Sequence, residues 1–184
     1  MRPFITLTAL LLLGTPSLAQ DQLTSPYRHQ VETGLRGLND NEIAELKAGT
    51  GMGLARAAEL NSYPGPRHVL DAVAAGKLTA SPKQLERVQL VFGRMKRDAQ
   101  RAGAQILAEE QQLEAGFRAA AMTDQELRSR VARIGALQAE LRTIHLAAHL
   151  ATRALLSDVQ VARYNELRGY TAGGTAHQEH QRKH

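Results

Sequence analysis

The chain has 184 residues, with 23 Lys and Arg against 18 Asp and Glu, 43% hydrophobic residues, 4% aromatics, no Trp and no Cys. That length suits one domain, and the hydrophobic content is enough for a core. The missing cysteines exclude disulfides, thiolate metal sites, covalent haem attachment and Cys nucleophiles, and the few aromatics point away from sandwiches, barrels and base-stacking platforms.

Arg2, the apolar run Phe4–Leu13 and the small-x-small sequence Ser17-Leu18-Ala19 have the order of a secretory signal. The run of roughly ten residues is too short to span a bilayer about 30 Å thick. The expected organisation is a cleaved signal over 1–19, a single all-α domain over 20–170 and a disordered His-containing tail over 171–184. Such a protein is periplasmic. Its basic sequence pI, near 9.9, then matters for acidic peptides, anionic surfaces and unfolded envelope proteins, and nucleic acid is not an expected partner.

The region up to Gly76 reads as broken helical pieces near 28–37, 40–48 and 54–61, interrupted by Gly49, Gly51 and Gly53. Tyr63-Pro64-Gly65-Pro66 forms a rigid turn, and Pro66 opens a helix through Val69, Leu70 and Val73, closed by Gly76. Asn39/Glu42, Ser81/Gln84, Thr123/Glu126 and Ser157/Gln160 have capping-box spacing, in which cap and fourth residue satisfy each other's orphan backbone N–H groups. The second box opens a long helix reaching about Ala121, with Leu85, Val88, Phe92, Met95, Ala99, Ala102, Ile106 and Leu113 on one seam. The third opens a partner carrying Leu127, Ile134, Leu137, Leu141, Ile144, Ala148 and Leu155. The short connection forces an antiparallel hairpin. The fourth opens a short helix through Tyr164 and Leu167, ending near Gly169. The predicted fold is a long antiparallel helical hairpin with shorter flanking N- and C-terminal helices, cradle-like. Around Leu146, Leu150 and Leu156 the second long helix is apolar nearly all round, so it needs a second cover. A homodimer made by the hairpin packing on its copy supplies one; the N-terminal helices are the other candidate.

Arg87, Arg94 and Arg101 fall seven apart and form a basic stripe, either a solvated face or a client-binding one. His145 and His149 are four apart, the spacing at which one helix offers two metal ligands. A third ligand would come from His29, His68, a carboxylate or a second subunit; the alternative is two histidines bonded locally. His177, His180 and His184 in the tail either chelate a divalent ion weakly or stand there incidentally. No cofactor is required by any motif; a divalent metal (Zn, Cu or Ni) is the one candidate. Without G-x-S-x-G, H-E-x-x-H or paired Glu-x-x-His motifs, the chain does not read as an enzyme.

Leu156-Ser157-Asp158-Val159-Gln160 and Ala80-Ser81-Pro82-Lys83-Gln84, with Leu78-Thr79 just upstream, are variants of an L-[TS]-x-x-Q box. Together with the signal, the hairpin, and the stretches Asn61–Leu70 and Arg163–Tyr170, they make residues 30–170 resemble the Spy/CpxP (LTXXQ) family. Its relatives include periplasmic heavy-metal sensors and ZraP-type proteins. The resemblance implies an all-α periplasmic dimer acting as an ATP-independent chaperone for unfolded or misfolded envelope proteins, or as an adaptor working with an inner-membrane stress sensor. The alternative it implies is a heavy-metal-binding sensor or resistance protein. That branch carries a His pair in its N-terminal helix, where this chain has only His29.

Overall fold

The computed structural model describes residues 24–32 and 34–170; the signal-like segment and the histidine tail lie outside them. The chain divides into two compact units at Arg36/Gly37. In the first, the only helical feature among the described residues is a 3-10 turn at Arg28–Gln30, where a helix over 28–37 was expected. Among its described residues the second holds six helices: α1 (Asp40–Ala48), α2 (Arg56–Glu59), α3 (Pro66–Ala74), α4 (Pro82–Arg118), α5 (Asp124–Arg153) and α6 (Asp158–Arg168). The protein is all-α, with no strand among the described residues. None of the described helices is long and apolar enough to cross a membrane.

All four predicted boxes form, each with both reciprocal hydrogen bonds. Pro82 occupies the first turn of α4, where its missing N–H has no intrahelical partner to lose. Helix α4 ends three residues before the expected Ala121. Ala120 takes φ 51°, and the N–H groups of Ala120 and Ala121 donate to the carbonyls of Phe117 and Gly116. This is a Schellman ending of the kind glycine usually supplies, as Gly49, Gly76 and Gly169 do for α1, α3 and α6.

Helices α4 and α5 pair antiparallel, with Gln84 reaching Leu155 at one end and Arg130 reaching Glu109 toward the other. Val88, Ala99, Ala102 and Ile106 of the α4 seam are buried, as are Ile134, Leu137, Leu141 and Ala148 of α5. Gly103 and Leu107 are buried too, because α1 lies against α4. A Cβ at Gly103 would collide with the backbone carbonyl of Leu46. The glycine is therefore where α1 and α4 touch backbone to backbone.

At the open end of the hairpin, Val69, Leu78, Val88, Leu156, Val161 and Tyr164 make one buried cluster from α3, α4, α6 and their connections. Leu156 is thus covered within the chain, whereas Leu150 remains 59% exposed. The N-terminal elements supply part of the second cover that the apolar stretch requires.

Above this cluster the two box glutamines meet. Gln84 Nε2 donates to Gln160 Oε1 at 3.0 Å and to the Leu155 carbonyl at 2.9 Å. Gln160 Nε2 returns a bond to Gln84 Oε1 at 3.2 Å and another to the Thr79 carbonyl at 2.8 Å. Each amide oxygen still accepts from its own cap N–H, at 2.9 Å in both boxes. Replacing either glutamine by Ala is expected to cost about 1–2 kcal/mol in urea unfolding. Because each amide is the other's partner, the double variant should fall short of the sum by about 1 kcal/mol. Strict additivity would show the two boxes to be independent caps.

Candidate functional site

Three short elements bring chemistry to one side of the helices. The loop after α1 runs through Gly49, Gly51 and Gly53 into α2, which ends on Glu59. The Tyr63–Pro66 turn then crosses to α3, which carries His68. Helix α5 supplies His145 and His149, and the end of α6 supplies Tyr164, Arg168 and the following Tyr170.

Glu59 is the centre of this arrangement. Its Oε1 accepts from Tyr164 Oη at 2.5 Å, Tyr170 Oη at 3.0 Å and Arg168 Nε at 3.2 Å. Its Oε2 lies 3.6 Å from His149 Nδ1. Burial would raise the Glu59 pKa, but the Tyr164 and Tyr170 hydroxyls, helped by His149 and His68, outweigh it and hold the group below the usual carboxylate range. Burial and the bond to Glu59 push the Tyr164 phenol well above its ordinary value, so it remains a donor. Tyr164 Oη in turn accepts from the Gly65 N–H at 3.4 Å. The knot therefore ties α2, the turn before α3, α5 and α6 to one carboxylate.

The two predicted ligating histidines are both buried on α5. His149 Nδ1 stands 2.7 Å from the Tyr63 carbonyl. A carbonyl only accepts, so Nδ1 carries the proton of this bond. His145 is 2% exposed. Its Nε2 is buried without a partner. His68, one of the named options for a third ligand, is exposed on α3 yet reaches the same region.

Two cavities open beside these groups and share His68 and His149. One, about 390 Å³, also has Glu59, Arg168 and Tyr170 on its wall. The other, about 450 Å³, is lined by His145, Thr50, Gly65, Phe92, Met95 and Lys96 among others. Among the described residues no cluster of three or more ligating side chains is set to hold a metal ion. Placement of the His29 side chain and of His177, His180 and His184 lies outside the described residues.

The basic stripe is on the surface of α4, away from this knot in the chain. Arg94 and Arg101 share Asp98, at 3.7 and 2.8 Å. Arg87 is exposed and has no ion-pair partner among the described residues.

Sequence reasoning found the histidine pair and missed Glu59, Arg168 and the tyrosines. Glu59 sits on a four-residue helix with no periodicity to mark it. Tyr164 read as the apolar residue of a short helix, which it also is.

Acid should loosen the knot. His145 is lowered by burial and then by the charge of His149, and His68 by burial and then by Arg168. A histidine lowered in the fold takes up protons more readily when unfolded, so its stability contribution is present above the unfolded value of 6.5 and is lost as pH falls below it. Glu59, also lowered, adds a second loss below its unfolded value of 4.5. Glu110, raised by burial and by Glu42, opposes this just above 4.5. Urea midpoints are expected to fall between neutral pH and the upper end of the carboxylate range, and to fall less for His145→Gln. A midpoint flat over that window would contradict the assignment.

Compared with protein-family models, curated proteins and solved structures, the chain matches none.

Proposed function

We infer that this chain is a periplasmic, ATP-independent chaperone or envelope-stress adaptor, which captures segments of unfolded or misfolded envelope proteins on its hairpin surface and works as a homodimer. The observation that carries the reading is the exposed surface of the two long helices, where large apolar side chains stand singly among charges. Leu90 and Phe117 of α4 and Val131 and Leu150 of α5 are each more than half exposed. Arg87, Arg94 and Arg101 lie on the first of these helices. Scattered apolar contacts with exposed cations on the same helix favour weak, sequence-tolerant binding over a single tight interface. The box residues and their resemblance to the Spy/CpxP family support the same reading.

The test is light scattering of an aggregating, denatured client with the protein added at equimolar ratio and above. Suppression is expected without any nucleotide. A triple Arg87→Ser, Arg94→Ser, Arg101→Ser variant should need several-fold more protein for the same effect, since each loses a long-range cationic contact. Unchanged aggregation at excess would end the chaperone reading. A variant as active as the parent would move the client surface elsewhere on the helices.

A further inference from the structure

We propose that His145 and His149 together form a binding site for one borderline divalent transition cation, such as Zn²⁺, through their Nε2 atoms, with water or a small ligand completing the coordination. This goes beyond the chaperone reading and does not depend on it.

The argument rests on how the two rings are held. A histidine offered to a metal needs one nitrogen with a free lone pair and the other fixed as an N–H donor, usually by a carbonyl or carboxylate. His149 supplies the fixed donor of that condition and His145 the unpartnered nitrogen. His149 directs its Nδ1–H to the Tyr63 carbonyl, with Glu59 Oε2 behind it at 3.6 Å. On His145, Nε2 is buried and has no hydrogen-bond partner. A buried histidine that is merely structural satisfies both nitrogens or exposes one; an orphaned buried Nε2 calls for a further explanation. One turn of α5 separates the residues, and both rings line the same cavity of about 450 Å³.

Gly65 gives a second indication. Its φ of −75° and ψ of 137° are open to any residue, so no backbone strain demands glycine. A Cβ there would stand 3.2 Å from His149 Nε2 and 3.0 Å from Cε1. The missing side chain leaves the coordinating edge of that imidazole uncrowded.

The charges nearby are compatible with a cation. Arg67 on the cavity wall is paired with Asp71 at 2.9 Å. The Glu59 carboxylate faces the protonated edge of His149, where it raises the donor strength of the ring. Lys96 is exposed, with a flexible stem that can carry its charge outward. Imidazole nitrogens suit zinc, copper and nickel and leave calcium and magnesium to oxygen sites. With two protein ligands the site is an open one, and its affinity should be modest.

Long-range ¹H–¹⁵N spectra of the imidazoles, recorded on the full-length chain during a Zn²⁺ titration at neutral pH, test this residue by residue. His149 is expected to begin with a proton on Nδ1, and on adding Zn²⁺ the Nε2 resonances of both His145 and His149 should move. The tail histidines, which compete for metal, are read separately in the same spectrum. If the tail shifts and saturates while both Nε2 signals stay unmoved at about ten equivalents, the site does not exist. Movement of only one of the two would equally overturn a shared site. A Gly65→Ala chain, which keeps both ligands, should require several-fold more Zn²⁺ for the same shift; unchanged binding there would also count against this geometry.

Discussion

Replacing Glu59 with Ala is expected to lower the unfolding free energy by about 3 kcal/mol, the largest loss from any single polar side chain in the fold. Three donors converge on one carboxylate oxygen, and the substitution strands all of them. Tyr164 is only 1% exposed, so its hydroxyl cannot turn to water. An unsatisfied buried donor costs about 1–3 kcal/mol, and hydrogen bonds to a charged group contribute about 1.5–3 kcal/mol. Tyr170 and Arg168 lie nearer solvent and recover part of their bonding there. Glu59→Gln keeps one acceptor oxygen and should lose about half as much, and Tyr164→Phe about 1 kcal/mol. Urea unfolding with an unchanged m-value checks the series. If Glu59→Ala unfolds with the parent midpoint, the knot is decoration on a fold held by its apolar clusters alone.

The second large effect runs against ordinary helix propensity. Glycine inside a helix is worse than alanine by roughly 0.5–1 kcal/mol. At Gly135, midway along α5 with nothing near its missing Cβ, Gly→Ala should therefore stabilise by about that amount. At Gly103 the same change should destabilise by about 2–3 kcal/mol, the scale of overpacking in a tight core. The atom in the way is a backbone oxygen of Leu46, which cannot rotate aside as a side chain can. Helix α1 must lift off α4 or α4 must bend. Thermal melts of the two variants should shift in opposite directions. A stabilised Gly103→Ala chain would show that α1 rests on α4 loosely enough to yield.

The contrast between these glycines explains how far the sequence could be read. Capping boxes are local: Ser81 and Gln84 lie within one turn, so all four helix starts were visible, as was the seam of Val88, Ala99, Ala102 and Ile106. The end of α4 was less visible because Ala120 takes a left-handed conformation that sequence rules reserve for glycine or asparagine. Gly103 was legible only as a propensity defect, since its meaning depends on α1 arriving from more than fifty positions upstream. The histidine pair was plain from its spacing. What holds the His149 ring was not, because the Tyr63 carbonyl belongs to an irregular segment whose path no periodicity reports. Glu59 is the extreme case: its partners on α6 are more than a hundred residues away.

The interlocked glutamines also set an order of events. Gln84 and Gln160 are separated by 76 positions, and although each cap closes locally, the clasp between their amides cannot form until both have arrived. Most contacts along α4 and α5 can form by zipping outward from their short connection, which requires little loop closure. The junction at the far end instead waits for nearly the whole chain. A polypeptide emerging N-terminus first would hold α4 and most of α5 as an unlatched hairpin, and would acquire its last cooperative contacts only when Ser157–Gln160 came free. The boxes would then act as a clasp on the finished chain, and a product truncated before α6 would be left unlatched as far back as the start of α4.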